Sequence, residues 1–118
     1  MTILPNWIMR QGEIWYADLN PMKGSEQAGR RPVVIISGNL LNKFLKVVIT
    51  VPLTSKIKHY QGNPILKPDA ENGLKLTSEM MIFHIRSISK NRLVEKIGNV
   101  KKSELDLAVK TLNEILTY

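Results

Sequence analysis

This chain of 118 residues predicts a small, barrel-like β fold closed by one amphipathic helix. Three observations carry that expectation. Apolar and polar residues alternate with the period of a strand until the last stretch of the chain. From Ser103 the apolar spacing switches to the helical period. The length suits one domain spanning 1–118, with 1–8 as a short N-terminal extension, and 43% of the residues are apolar. A chain of this size buries roughly 65% of its unfolded surface, enough for one core without staples.

Glu13-Ile14-Trp15-Tyr16-Ala17-Asp18-Leu19 reads as the first strand, rich in β-formers. Pro32-Val33-Val34-Ile35-Ile36-Ser37 is a continuous apolar run with β-branched residues, so a strand buried on both faces. Pro32 is expected at its first position, where a missing N–H costs least. Leu45 to Leu53 forms a third strand, with a bulge or an end at Pro52. Asn63 to Leu66 and Glu79 to Ile85 supply two more, the latter extending through Ile88 to a turn at Ser89-Lys90-Asn91. Leu93 to Ile97 is the last, ended by Gly98-Asn99. In the helix, Leu105, Ala108, Val109, Leu112, Ile115 and Leu116 fall on one face, with Ser103 as N-cap and Asp106 as the capping carboxylate.

Several function classes are excluded by composition. With no cysteine there is no disulfide scaffold, thiol nucleophile or Cys-ligated zinc. No apolar run approaches the ~20 residues of a membrane span. Met1 to Gln11 places apolar residues before the first positive charge, the reverse of a signal peptide. A soluble, cytoplasmic chain that does not contact a membrane is therefore expected. No phosphate-binding glycine motif is present, and His59 and His84 lack the spacing of a metal pair, so no cofactor or metal is expected.

The net charge is +7, and its distribution says more than its size. Between Asn20 and Pro68 stand Lys23, Arg30, Arg31, Lys43, Lys46, Lys56, Lys58 and Lys67 against one acid, Glu26. The rest of the chain balances. A concentrated positive field attracts a polyanion by counterion release, and nucleic acid is the usual one. A basic surface without a partner and an acidic protein partner stay open on charge alone.

Two glycine-punctuated loops fall inside this window: Asn20 to Arg31, and Lys56 to Gly62. The first ends in two arginines where a buried strand begins, so Arg31 is held by rigid backbone while Arg30 is freer. Such an arginine can grip a phosphate bidentately and stabilise charge developing on phosphorus. A salt bridge with Glu26 or Asp18 explains the local pattern equally well.

Gly12-Glu13-Ile14-Trp15-Tyr16-Ala17-Asp18-Leu19-Asn20-Pro21, followed by Gly24-Ser25-Glu26-Gln27-Ala28-Gly29-Arg30-Arg31-Pro32, closely resembles the opening of the MazF/PemK family of toxin endoribonucleases. The likeness continues at Pro52-Leu53-Thr54-Ser55 and at Ile85-Arg86-Ser87-Ile88-Ser89-Lys90-Asn91-Arg92-Leu93, and covers roughly residues 9–117. The resemblance implies an SH3-like or CcdB-like barrel of about five to seven strands that pairs as a homodimer. It implies metal-independent cleavage of single-stranded mRNA at short sequences. It also implies a cognate antitoxin with an acidic disordered tail, and DNA binding by the toxin–antitoxin complex.

By the same resemblance Arg31 and Thr54 are the first catalytic candidates, with Glu26 as a base or as the group that orients Arg31. Ser25, Gln27, Arg30, Ser55, Lys56, Lys58 and Arg86 are the candidate RNA contacts. Trp15 and Tyr16 alternate on one strand, so one faces the core and the other is open to packing or stacking. One departure matters: some members carry a catalytic acid three residues before the arginine of this last motif, and here Phe83 stands there, followed by His84. Two other functions remain conceivable on such a fold: a protein poison like the gyrase-binding CcdB branch, and a nucleic-acid-binding barrel without activity.

Overall fold

The computed structural model describes residues 8–20 and 29–118. Its strands are β1 (Glu13–Asp18), β2 (Arg30–Ile35), β3 (Val47–Thr54), β4 (Ile65–Leu66), β5 (Ser78–Met80), β6 (Arg86–Ser89) and β7 (Leu93–Asn99). Helix α1 (Asn39–Phe44) joins β2 to β3, and α2 (Lys102–Leu116) closes the chain. Every strand pairing is antiparallel, in the order β4-β5-β3-β2-β1-β7, and β6 pairs with the first half of β3, Val47 to Thr50. The sheet curls into a half-barrel, the fold class the strand pattern predicts.

β2 sits at the centre because its apolar run serves both faces. Val33 and Ile35 enter one buried cluster with Ala17, Val48 and Ile88. Val34 and Ile36 enter the other with Ile14, Val51 and Leu53, and α2 covers that side through Ala108, Leu105 and Leu112. β3 is the strand that turns the sheet. Through Pro52 it pairs with β2, and at Leu53 and Thr54 it pairs with β5. The expected irregularity at Pro52 is thus a change of partner within one continuous strand.

Four expectations need correction. Pro32 is the third residue of β2, not the first. β3 pairs only from Val33 onward, so at Pro32 the strand has a partner on one side alone, where a missing N–H is tolerated. The run Glu79 to Ile85 is not one strand: after Met80 the chain makes a 3-10 turn over Ile82–His84 and restarts as β6. α1 has no counterpart in the sequence pattern, since its six residues are too short to show a period. Finally, α2 begins at Lys102 with Lys101 as cap, because the Glu104 carboxylate reaches back to accept the Lys101 N–H at 2.7 Å. Its buried positions are Ala108 and Thr111, while Val109, Ile115 and Leu116 of the expected face stay exposed.

Candidate active site

Arg31 is the second residue of β2 and exposed; Thr54 is the last residue of β3 and half-buried. Because β2 and β3 are neighbours up to Pro52, their ends bring these two side chains to one cleft of 350 Å³. Lys56 and Lys58, from the loop after β3, line the same cleft, as do His84 from the 3-10 turn and Arg86 at the start of β6. Arg86 is placed by β6 pairing with β3 opposite Thr50, whose hydroxyl donates to the Arg86 carbonyl at 3.2 Å.

A second cleft, of 530 Å³, adjoins the first and shares Arg31, Leu53, Thr54 and Lys56 with it. Arg30, Ser55, Lys75, Ser78 and Tyr16 complete its polar and aromatic lining. Arg31 and Thr54 therefore stand at the divide of a continuous basic trough. Arg30 Nε is buried with no hydrogen-bond partner among the described residues. Of the two aromatics on β1, Trp15 packs against the core cluster and Tyr16 opens onto the trough.

Seven of the ten predicted site residues thus meet in the trough: Arg30, Arg31, Thr54, Ser55, Lys56, Lys58 and Arg86. Ser25, Glu26 and Gln27 lie outside the described residues. The connection that carries them is clamped at its base, where the Leu19 N–H donates to the Gly29 carbonyl at 2.9 Å. Arg92 adds a second clamp, its Nη1 donating to the Asn20 carbonyl at 2.6 Å. That arginine of the last sequence motif is accordingly a structural part.

Thr54 Oγ1 accepts the Lys56 N–H at 3.1 Å, a local turn that fixes the hydroxyl and leaves its proton free to donate. The loop beyond it is ordered by a residue the sequence reading missed. Glu79, fully buried on β5, accepts the backbone N–H groups of Lys58 at 2.7 Å, His59 at 2.9 Å and Tyr60 at 3.0 Å. The Asn63 side chain donates a fourth bond at 2.8 Å. Burial alone raises the Glu79 carboxyl, but these four bonds favour its charged form and hold it below the ordinary value of 4.5. An anion in this nest pins three consecutive amides, and His59 takes the left-handed φ of 55° that the turn requires. The only hint in the sequence is an acid inside an apolar run, a pattern equally typical of a strand's wet face.

Lys90 is also buried, and burial pushes its ammonium group down in pKa. Its Nζ donates to the Asn42 carbonyl, tying the end of β6 to α1 rather than serving the trough. Among the described residues no three His, Asp or Glu side chains converge as a metal site would need.

The family model described as PemK-like, MazF-like toxin of type II toxin–antitoxin system matches residues 10–116. Endoribonuclease MazF of Staphylococcus saprophyticus is 39% identical over 106 residues, covering 86% of this chain and 88% of that protein. Endoribonuclease EndoA of Bacillus subtilis is 33% identical over 100 residues, covering 84% and 86%. Among solved structures, a mycobacterial endoribonuclease in complex with its cognate antitoxin superposes with a TM-score of 0.74 at 21% identity, covering 92% of this chain and 94% of that one.

Proposed function

Since the chain belongs to the PemK-like, MazF-like toxin family and is an endoribonuclease toxin of a type II toxin–antitoxin system, we propose that the Arg31–Thr54 trough cuts single-stranded mRNA at short sequences without a metal. The observation that carries this reading is the convergence of Arg31, Thr54, Lys56, Lys58 and Arg86 on one cleft. Four cations and a hydroxyl along one cleft suit a phosphodiester backbone.

RNA supplies its own nucleophile. The 2′-oxygen attacks the adjacent phosphorus and loses its proton, the P–O5′ bond breaks, and O5′ takes up a proton. The products are a 2′,3′-cyclic phosphate and a 5′-hydroxyl. Arg31 stabilises the dianionic phosphorane; a guanidinium has five donors and no acceptor, so it does not take the proton from the 2′-hydroxyl. The Thr54 hydroxyl, fixed by Lys56, donates to a non-bridging or leaving oxygen. Lys56, Lys58 and Arg86 hold the flanking phosphates. Glu26 or His84 takes the proton, and His84 opens onto the same cleft as Arg31. Unchanged cleavage by His84→Ala removes it from the mechanism.

The test is cleavage of a long single-stranded RNA in EDTA, with the 5′ ends mapped. Wild type is expected to cut at a short recurring sequence and leave 5′-hydroxyls. Arg31→Ala is expected to lose about 10²- to 10³-fold in rate, the range for removing one preorganised donor to a developing oxyanion. Arg31→Lys is not expected to recover it, because the planar fork is lost. No cleavage by wild type on several RNAs shifts the reading to a binding module or a protein poison.

The same reading extends to two partners. Exposed apolar residues on α1, β3 and the link between them, Leu40, Leu41, Phe44, Leu45, Val47 and Ile49, support a homodimer. The basic trough suits an acidic antitoxin tail, and the mycobacterial relative was solved with its antitoxin.

A further inference from the structure

We infer that a third cleft, beside the catalytic one, is a nucleobase subsite in which Tyr60 and Phe83 stack on an unpaired base next to the scissile phosphate; this rests on the nuclease reading above. The cleft measures 510 Å³, within the range of small-ligand sites, about 300–1,000 Å³. It is continuous with the Arg31 cleft through Met81 and His84, which line both. Gln61, Glu114 and Ile115 lie along its other walls.

Charge decides what part of the RNA enters. The catalytic cleft holds Arg31, Lys56, Lys58 and Arg86, whereas the third cleft has no lysine or arginine and carries Glu114. A phosphate is repelled there and a base is not. The apolar walls suit a base's face, while Glu114 and Gln61 offer an acceptor and an amide to its edge.

Exposure and rigidity point the same way. Phe83 is 78% exposed and Tyr60 56% exposed, and neither ring is spent on the core. Both are nevertheless carried on fixed backbone. Glu79 holds the Tyr60 N–H at 3.0 Å. Asn63, itself bonded to Glu79, accepts the Ile82 N–H at 3.3 Å through Oδ1, and the Met81 N–H donates to the Pro52 carbonyl at 3.0 Å. One buried carboxylate thus ties the loop bearing Tyr60 to the 3-10 turn bearing Phe83. Preorganised aromatics next to a phosphate trough are how single strands are gripped.

The experiment uses a short RNA bearing the mapped cut sequence, with a 2′-deoxy sugar at the cut to block attack, and 2-aminopurine moved one nucleotide at a time across it. With wild type, quenching is expected at one position adjacent to the cut. Phe83→Ala and Tyr60→Ala are expected to remove that quenching and weaken binding about 5- to 150-fold, the range for losing one stacking side chain. Phe83→Tyr should retain both. Phe83→Leu keeps the apolar bulk and should behave like Phe83→Ala; full binding by Phe83→Leu overturns stacking. Because Phe83 is mostly exposed, its variants should melt like wild type. Wild type that cuts normally, while Phe83→Ala and Tyr60→Ala bind, quench and select the cut sequence unchanged, overturns the subsite alone. Wild type that neither binds nor cuts RNA overturns the nuclease reading and the subsite with it.

Discussion

Glu79 shows how much of a site can rest on a side chain that never reaches the substrate. Its carboxylate accepts the amides of Lys58, His59 and Tyr60, so the loop presenting Lys58 to the catalytic cleft is held by one buried charge. Glu79→Gln keeps the shape but puts an NH₂ where an oxygen received donors. Leaving buried N–H groups unsatisfied is expected to cost about 1–3 kcal/mol. The pH dependence has a definite sign. The folded carboxyl titrates below 4.5, its unfolded value, so its contribution is whole above pH 4.5 and is lost as pH falls toward the lowered value. Urea midpoints between pH 7 and pH 3 should therefore converge for wild type and Glu79→Gln as acid is added. A constant gap across that range would show that the bonds seen here carry no linkage. The five side chains that meet in the cleft carried different signals in the sequence: Arg31 both motif and charge, Thr54 and Arg86 the motif, Lys56 and Lys58 the charged window. Glu79 was not legible there, since a buried acid looks like any acid until its donors, up to 21 residues away, are seen.

Elements were legible where they are long and periodic. β1, β2 and β3 follow their patterns because their apolar residues, in β2 on both faces, are answered by packed clusters. The 3-10 turn over Ile82–His84 was hidden inside an apolar run, yet it is what exposes Phe83 and His84. Helix α2 was found by its period, and Leu105, Ala108 and Leu112 of the expected face pack inward, but Thr111, which lay outside that face, is buried while Val109, Ile115 and Leu116 are exposed. The reason is a docking contact that composition cannot show. Thr111 Oγ1 donates to the Gly62 carbonyl at 2.6 Å, and Gly62 has a φ of +89°. A Cβ at Gly62 meets Thr111 Cγ2 at 2.9 Å and Oγ1 at 3.0 Å. Gly62→Ala is expected to cost about 1–3 kcal/mol from backbone strain, more with the crowding, and to lower the melting temperature by several degrees. Adding Thr111→Ser removes the crowding methyl, keeps the hydroxyl, and leaves the φ strain, so it should restore part of the loss and not all. Additive effects in that double-mutant cycle would mean that the two residues do not meet.

At the scale of the molecule, the sequence concentrates its positive charge in one window, and the fold divides that window between two faces. Arg30, Arg31, Lys56 and Lys58 line the trough, joined by Lys75 and Arg86 from outside the window. Lys43, by contrast, stands on α1 above the Phe44 ring at 5.5 Å, on the apolar face. A large exposed apolar face is normally covered, and a second copy of the chain is the cover we propose here. Sedimentation of wild type is expected to show a dimer, and Phe44→Asp or Leu41→Asp, both at exposed positions, to shift it to a monomer. Dimerisation has an electrostatic consequence, because a two-fold axis sets two basic troughs on one particle. RNA affinity should then fall with salt at a slope of about −0.7 per phosphate contacted, and the slope should be shallower for the monomeric variant, which offers one trough instead of two. Equal slopes would mean that each RNA engages one protomer only. A wild-type affinity that stays flat from low to physiological salt would contradict the role given to the basic window itself.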